Sequence, residues 1–243
     1  MAWQDYEFGE LCKIRRGSSP RPIHDWMAVS GIPWIKIADA NREKSKTITS
    51  TREFIKPEAE DKSVSVFPGD LIVSNSATPG IPKFIGINAC IHDGWLLLRD
   101  FNGLDKLFCF YLLLYERPNL LLKGNGSVFT NLKTDILRTH CVSIPPLPEQ
   151  QAIASILGAL DDKIDLNRRM NETLESMARA IFKSWFVNFD PVRAKMEGKQ
   201  PFGMDAETAA LFPDRLVESE LGLIPEGWEV TTIGEATEVL GGG

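Results

Sequence analysis

Pro145-Pro146-Leu147-Pro148-Glu149-Gln150 separates two kinds of sequence, and its reading decides the architecture. Proline fixes φ and removes a backbone donor, so a helix is expected to start only after Pro148. Glu149 then places an anion at the helix N-terminus, where the dipole favours it. From Glu149 to about Phe189 there is no proline and one glycine, Gly158. At about 1.5 Å per residue such a helix spans roughly 60 Å, more than a globular core requires. A seam runs along it through Leu157, Leu160, Ile164, Asn167, Asn171, Leu174, Ala178, Ile181 and Trp185. The steps alternate between three and four residues, as in a coiled coil. Asn167 and Asn171 carry two readings, a register-fixing polar pair or a local bend of the seam toward water.

Before this boundary the sequence changes character. Residues 1–148 hold short apolar or alternating runs at Ile32–Ile37, Ser63–Phe67, Asp70–Ser74, Phe84–Ile87 and Trp95–Leu98, bounded by Gly and Pro. Leu107–Leu114 reads as helix, with a stop at Pro118. The expected fold class is α+β: a compact mixed domain with a strongly bent sheet, one long coiled-coil-type helix over 149–189, and a Pro-rich connector over 190–226. A short helix is expected at Ala206–Leu211, capped by Asp205.

The two ends of the chain repeat each other. At an offset of 225, Trp3 meets Trp228, Phe8 meets Ile233, Gly9 meets Gly234, Glu10 meets Glu235, Ile14 meets Val239 and Gly17 meets Gly242. One reading is two similar strand-turn segments. The other is a second copy of the first domain, beginning at 227 and cut off at 243.

Composition narrows the function. The 243 residues are 43% hydrophobic and 25% charged, with no apolar run of the roughly 20 residues a membrane span needs. The start, Met1-Ala2-Trp3-Gln4-Asp5, lacks a secretory pattern, so a cytoplasmic location is expected. Cys12, Cys90, Cys109 and Cys141 form no CxxC pair. Cys90-Ile91-His92 reads as a core cysteine beside a satisfied histidine, and no metal site is expected. The net charge of −6 is unevenly spread: residues 1–148 carry 18 basic against 16 acidic side chains, and residues 191–243 carry 4 against 10. The first domain alone is therefore compatible with a nucleic-acid partner.

Catalytic motifs are missing from the sequence. Lys123-Gly124-Asn125-Gly126-Ser127 has too few glycines for a dinucleotide or methyl-donor turn, and no phosphate-loop motif occurs. Polar loops are more informative. The first contains Lys13, Arg15, Arg16, Ser18, Ser19 and Arg21. A second contains Lys36, Asn41 and Arg42, and a third Thr78 and Lys83. A fourth contains Lys123, Asn125, Ser127, Thr130, Asn131 and Lys133. Each alone reads as an ordinary surface loop. Together, on a domain without catalytic residues, they are candidate DNA contacts to phosphates and base edges. A stand-alone methyltransferase or nuclease, and a helical adaptor without DNA contact, are the competing readings.

The run from Gly126 to Ile164, GSVFTNLKTDILRTHCVSIPPLPEQQAIASILGALDDKI, resembles the end of a target recognition domain in the specificity subunit of Type I restriction-modification systems. IFKSWFVNFDPVRAKMEG, ALFPDR and GLIPEGWEV resemble that family's conserved region between recognition domains, and Ile32–Lys36 and Phe67–Ile72 also fit. The resemblance implies a non-catalytic chain that reads one half of a split double-stranded DNA site. It also implies helices that pair as a spacer and dock a methyltransferase subunit and, through it, a restriction subunit. S-adenosylmethionine and ATP would be used by those partners, with no cofactor in this chain. Family members carry two recognition domains and two helical regions; this sequence has one of each and a fragment, so a homodimer through residues 149–189 is expected.

Overall fold

The computed structural model describes residues 2–123 and 131–237. The chain forms two compact units, Met1–Asp165 and Leu166–Gly243, and the division falls within the long helix Leu147–Phe182.

The first unit is α+β and contains two five-stranded sheets. In the first sheet the strand order is Lys13–Arg16, Trp95–Arg99, Leu71–Ser74, Pro82–Ile85, Thr47–Ile48. In the second it is Met27–Ala28, Phe54–Ile55, Ile32–Ile35, Ala89–Ile91, Val64–Val66. Trp95-Leu96-Leu97-Leu98 is continuously apolar because both faces of its strand are covered. Trp95 and Leu97 join Ile72, Ile35, Val66 and Ile91 in the core shared with the second sheet. Leu96 and Leu98 point the other way, onto Phe108, Cys109, Leu112 and Leu113 of the helix Lys106–Lys123. The indole Nε1 of Trp95 donates to the carbonyl of Ile35 at 3.2 Å, tying the sheets together. Burial pushes the Cys12 thiol up to about 12, so this cysteine behaves as an apolar core residue.

Two helix ends differ from expectation. Helix Lys106–Lys123 continues through Pro118. The backbone bond that proline forfeits is outweighed by burial of Leu113 before it and Leu120 after it. The long helix starts at Leu147, so that Pro148 occupies its first turn, where a proline N–H would have no intrahelical acceptor.

The start of the long helix is fixed by Gln150, which is 1% exposed. Its Oε1 accepts from the Asp105 N–H at 2.8 Å, and its Nε2 donates to the carbonyls of Gly103 (3.0 Å) and Pro145 (2.8 Å). Glu149 accepts from the Trp3 indole at 3.2 Å. Ala154 and Gly158 continue the buried face, and Asp161 accepts from the Tyr111 hydroxyl at 2.8 Å. Leu157 also turns toward its own domain, lining a groove of about 550 Å³ with Trp3, Tyr111, Tyr115 and Ile153. It therefore leaves the expected pairing seam, because the helix must first cover the domain from which it springs.

Beyond that contact the helix presents an exposed apolar stripe: Ile156, Leu160, Ile164, Leu174 and Ile181, flanked by Leu166, Met170 and Met177. The stripe is wider than the two-position seam read from the sequence. The helix ends in a π-turn, Lys183–Val187. In the second unit Trp185 packs edge-on against Phe212, and Phe186 stacks on Trp228, with ring centroids 5.9 and 6.1 Å apart. Trp185 is thus occupied by the Pro-rich connector. Helix Ala206–Ala210 is capped by Asp205, which accepts from the Thr208 N–H at 2.7 Å.

The terminal repeat is structural as well as sequential. Helix Phe8–Leu11 and helix Ile233–Ala236 lie at the same offset of 225. In each, the glutamate carboxylate accepts the N–H of the residue before the helix: Glu10 from Glu7 at 2.8 Å, Glu235 from Thr232 at 3.1 Å.

Replacing Gln150 by Leu keeps the volume but strands the Asp105 N–H and two carbonyls. We expect a loss of about 2–4 kcal/mol in chemical denaturation; a loss under about 0.5 kcal/mol would remove Gln150 from its role as anchor.

Candidate nucleic-acid interface

The turn His92-Asp93-Gly94 links the strands Ala89–Ile91 and Trp95–Arg99, one from each sheet. The first loop and Asn75, beside the third loop, bond to this turn directly, and described residues of the second and fourth loops are linked to it through Thr78 and Asn75. From the first loop, Arg16 Nε donates to the Asp93 carbonyl at 2.9 Å and Ser19 Oγ donates to Asp93 Oδ1 at 2.6 Å. Arg21 Nη2 lies 3.4 Å and Arg16 Nη2 3.8 Å from Asp93 Oδ2. Ser18 donates to the Lys62 carbonyl at 2.9 Å. From the third loop, Asn75 donates through its side chain to the Asp93 carbonyl (3.0 Å) and through its backbone to that of Gly94 (2.8 Å). Thr78 Oγ1 donates to Asn41 Oδ1 of the second loop at 3.2 Å. The fourth loop is tied at its far end, where the Leu132 N–H donates to the Asn75 carbonyl at 2.8 Å.

Glycines permit this approach. A Cβ on Gly17 would lie 2.1 Å from the His92 carbonyl oxygen, and one on Gly94 would lie 2.2 Å from His92 Cε1. His92 itself stands edge-on to Trp34, with centroids 5.9 Å apart, and Lys36 Nζ lies 5.0 Å from the Trp34 ring centroid. Burial holds the imidazole below its ordinary pKa against the opposing pull of Asp93, so it is neutral. Nδ1 accepts from the Gly94 N–H at 2.9 Å, which leaves the proton on Nε2. The sequence reading of a satisfied histidine is half right, since Nε2 and the Trp34 Nε1 have no protein partner among the described residues.

The loop cations are compensated locally. Lys36 pairs with Glu53 at 2.6 Å and Arg42 with Asp39 at 2.9 Å. Asp93 serves both Arg16 and Arg21. Burial alone would raise the Asp93 carboxyl, but its bonds from Ser19 and the main chain, with His92 and Arg21 alongside, hold it below the usual carboxylate range.

Several candidates lie elsewhere. Lys83 is 6% exposed and donates to the carbonyls of Glu43 and Ser45, so it organises the second loop from inside and offers nothing to a ligand. Lys13 pairs with Asp100 at 2.8 Å, at the opposite end of its strand from Arg16. Arg15 alternates with Arg16, pairing in register with Leu97 while Arg16 pairs with Leu96, so the two point to opposite faces of the sheet. Lys123 lies 2.9 Å from Nδ1 of buried His140, whose Nε2 meets Glu116 at 2.9 Å. Asn131 and Lys133 are exposed on either side of anchored Leu132. Asn125, Ser127 and Thr130 fall outside the described residues. Sequence reasoning missed Asp93 and Asn75 as the hub, although Asp93-Gly94 between two apolar runs is a turn signal.

We expect Gly17→Ala to force the first loop off the turn and to cost about 2–4 kcal/mol in thermal or chemical melting. A variant as stable as the parent would overturn the close-packed geometry.

The chain as a whole has relatives among known proteins. A family model described as the Type I restriction modification DNA specificity domain matches residues 2–176. The chain is 26% identical to the Type I restriction enzyme HindI specificity subunit of Haemophilus influenzae, over 99% of this chain and 61% of that one. It is equally 26% identical to the MjaIX specificity subunit of Methanocaldococcus jannaschii, over 99% and 52%. It thus spans about half to three-fifths of the length of these relatives. Among solved structures, a chain from a study of complex assembly in the type I R-M system superposes with a TM-score of 0.57 at 22% identity, over 75% of this chain and 44% of that one. The HsdS subunit from Thermoanaerobacter tengcongensis does so with a TM-score of 0.54 at 23% identity, over 76% and 45%. These likenesses establish the shared fold, and the match over residues 2–176 establishes the family: the chain belongs to the Type I restriction-modification DNA specificity domains.

Proposed function

We propose that this chain reads one half of a split double-stranded DNA site with the loops gathered at His92-Asp93-Gly94, and that its long helix is the scaffold on which partners assemble. The bonding of Arg16, Ser19 and Asn75 to the one turn that joins the two sheets carries this reading. Exposed Arg16, Arg21, Asn41 and Asn131 supply the groups that suit phosphates and base edges. The chain has no catalytic role in this reading. Methyl transfer with S-adenosylmethionine, and ATP-driven restriction, belong to a methyltransferase subunit and to a restriction subunit reached through it. The segment from Trp228 is read as the start of a second recognition domain, on the strength of the repeated helix Ile233–Ala236.

A half-site of a few base pairs at about 1–3 kcal/mol each gives modest selectivity. We therefore expect weak binding of duplex DNA in fluorescence anisotropy, falling steeply between about 50 and about 200 mM salt. Arg16→Glu with Arg21→Glu should abolish it, and Lys13→Glu, at the far strand end, should lower it only mildly. Binding indifferent to all three changes would place the DNA contact on another surface, and no binding at any salt would favour a pure helical adaptor.

The exposed stripe supports pairing. Leu160 and Leu174 are each more than half exposed, and helices in proteins draw most of their stability from packing an apolar face, so a second copy of the helix is the proposed cover. The flanking Leu166, Met170 and Met177 widen the stripe enough for a further helix, the proposed seat of the methyltransferase subunit. Light scattering should report a homodimer that Leu160→Asp with Leu174→Asp converts to a monomer. A monomeric parent at high concentration would sink the pairing.

A further inference from the structure

We propose that Asp93 is a charge mask: its carboxylate holds Arg16 and Arg21 in the unbound protein and releases them to DNA, so that the reading loops do not cling to DNA of any sequence. This rests on the loop cluster being the DNA interface.

The contacts of Asp93 fall into two classes. Short bonds fix the turn: Ser19 Oγ to Oδ1 at 2.6 Å, Arg16 Nε to the carbonyl at 2.9 Å, Asn75 Nδ2 to the carbonyl at 3.0 Å. Long contacts hold charge: Oδ2 lies 3.4 Å from Arg21 Nη2 and 3.8 Å from Arg16 Nη2. The two arginine side chains are 74% and 60% exposed, and ion pairs so open to water are weak and exchange readily. A phosphate offers the same arginines a shorter, bidentate partner. The exchange needs no refolding, because the bonds that fix the turn do not involve Oδ2: Arg16 keeps its Nε bond to the Asp93 carbonyl and gives only its terminal nitrogens to a phosphate.

A carboxylate between two arginines lowers the attraction for every phosphate alike. Phosphate attraction carries no sequence information, so this loss falls on non-specific binding. Base-edge contacts at a matching site are not reduced in the same way. Lys36 with Glu53 and Arg42 with Asp39 follow the same arrangement, with one ion pair on each acid among the described residues. Asp93 serves two and is the one through which removal of a single charge releases the most.

Asp93→Asn tests the mask, because asparagine keeps an oxygen for Ser19 and loses only the charge. The full chain is titrated against a mixed-sequence 30-base-pair duplex over a range of salt, with about 30 pairs covering the protein several-fold. We expect Asp93→Asn to bind about 3–10-fold tighter at low salt, with a log–log salt slope steeper by about one. Adding Arg16→Ala and Arg21→Ala should erase the gain. Glu220→Gln, which removes an exposed charge in the second unit, should not reproduce it. The mask is overturned if Asp93→Asn binds as the parent does, if Glu220→Gln gives the same gain, or if the gain survives loss of both arginines. A parent chain that binds no duplex at any salt overturns the interface itself, and the mask with it. Should Asp93→Asn fail to fold, Asp93→Ser carries the same expectation, since its hydroxyl also partners Ser19.

Discussion

The buried carboxamide of Gln150 satisfies three main-chain groups at once, from Gly103, Asp105 and Pro145, with nothing charged involved. A neutral group suits this place, because a buried ion would have to be desolvated and paired, whereas an amide needs only its complement of donors and acceptors. Without it, the loop after strand Trp95–Arg99 and the double proline would each bury an unmet polar group. The long helix would then leave the domain from an undefined start. Within the first unit the face that the helix lays on its domain, Ala154 and Gly158, is set from this start, since each residue turns the helix by about 100°.

At the other end of the same strand the constraint is steric. The first loop reaches the turn only because Gly17 has no side chain to collide with the His92 carbonyl. The turn holds its shape because the Gly94 N–H is received by the imidazole of the residue two before it. Arg16, Ser19 and Asn75 are thereby anchored to a turn between two sheets that share one core. A reader of DNA needs such mounting: base edges are distinguished by hydrogen bonds with tolerances of a few tenths of an ångström.

Much of this was legible in the sequence. Strand Trp95–Arg99 is announced by an apolar run, the long helix by its three-four spacing, the Asp205 cap by its position, and the terminal repeat by the offset of 225. The site was legible by loop and not by side chain. Lys83 looks like its exposed neighbours in composition, yet it turns inward, because two carbonyls of the second loop needed a donor. Arg15 and Arg16 are adjacent in sequence and opposite in space. Leu157 and Trp185 fit the seam by period, but Leu157 lines a groove of its own domain and Trp185 packs on Phe212. Period states which residues share a face. It does not state which neighbour arrives at that face first, and that information resides in contacts between residues far apart in sequence.

The four-residue helix that occurs twice has one more consequence. In its first occurrence Phe8 and Leu11 are buried; in its second Ile233 is 78% exposed, and the helix keeps the same form. Its shape is therefore held within a few consecutive residues by a glutamate that folds back on its own main chain, with or without burial of the apolar side chains. The same local bond thus defines the segment both where a core packs on it and where its leading apolar residue stays open to solvent.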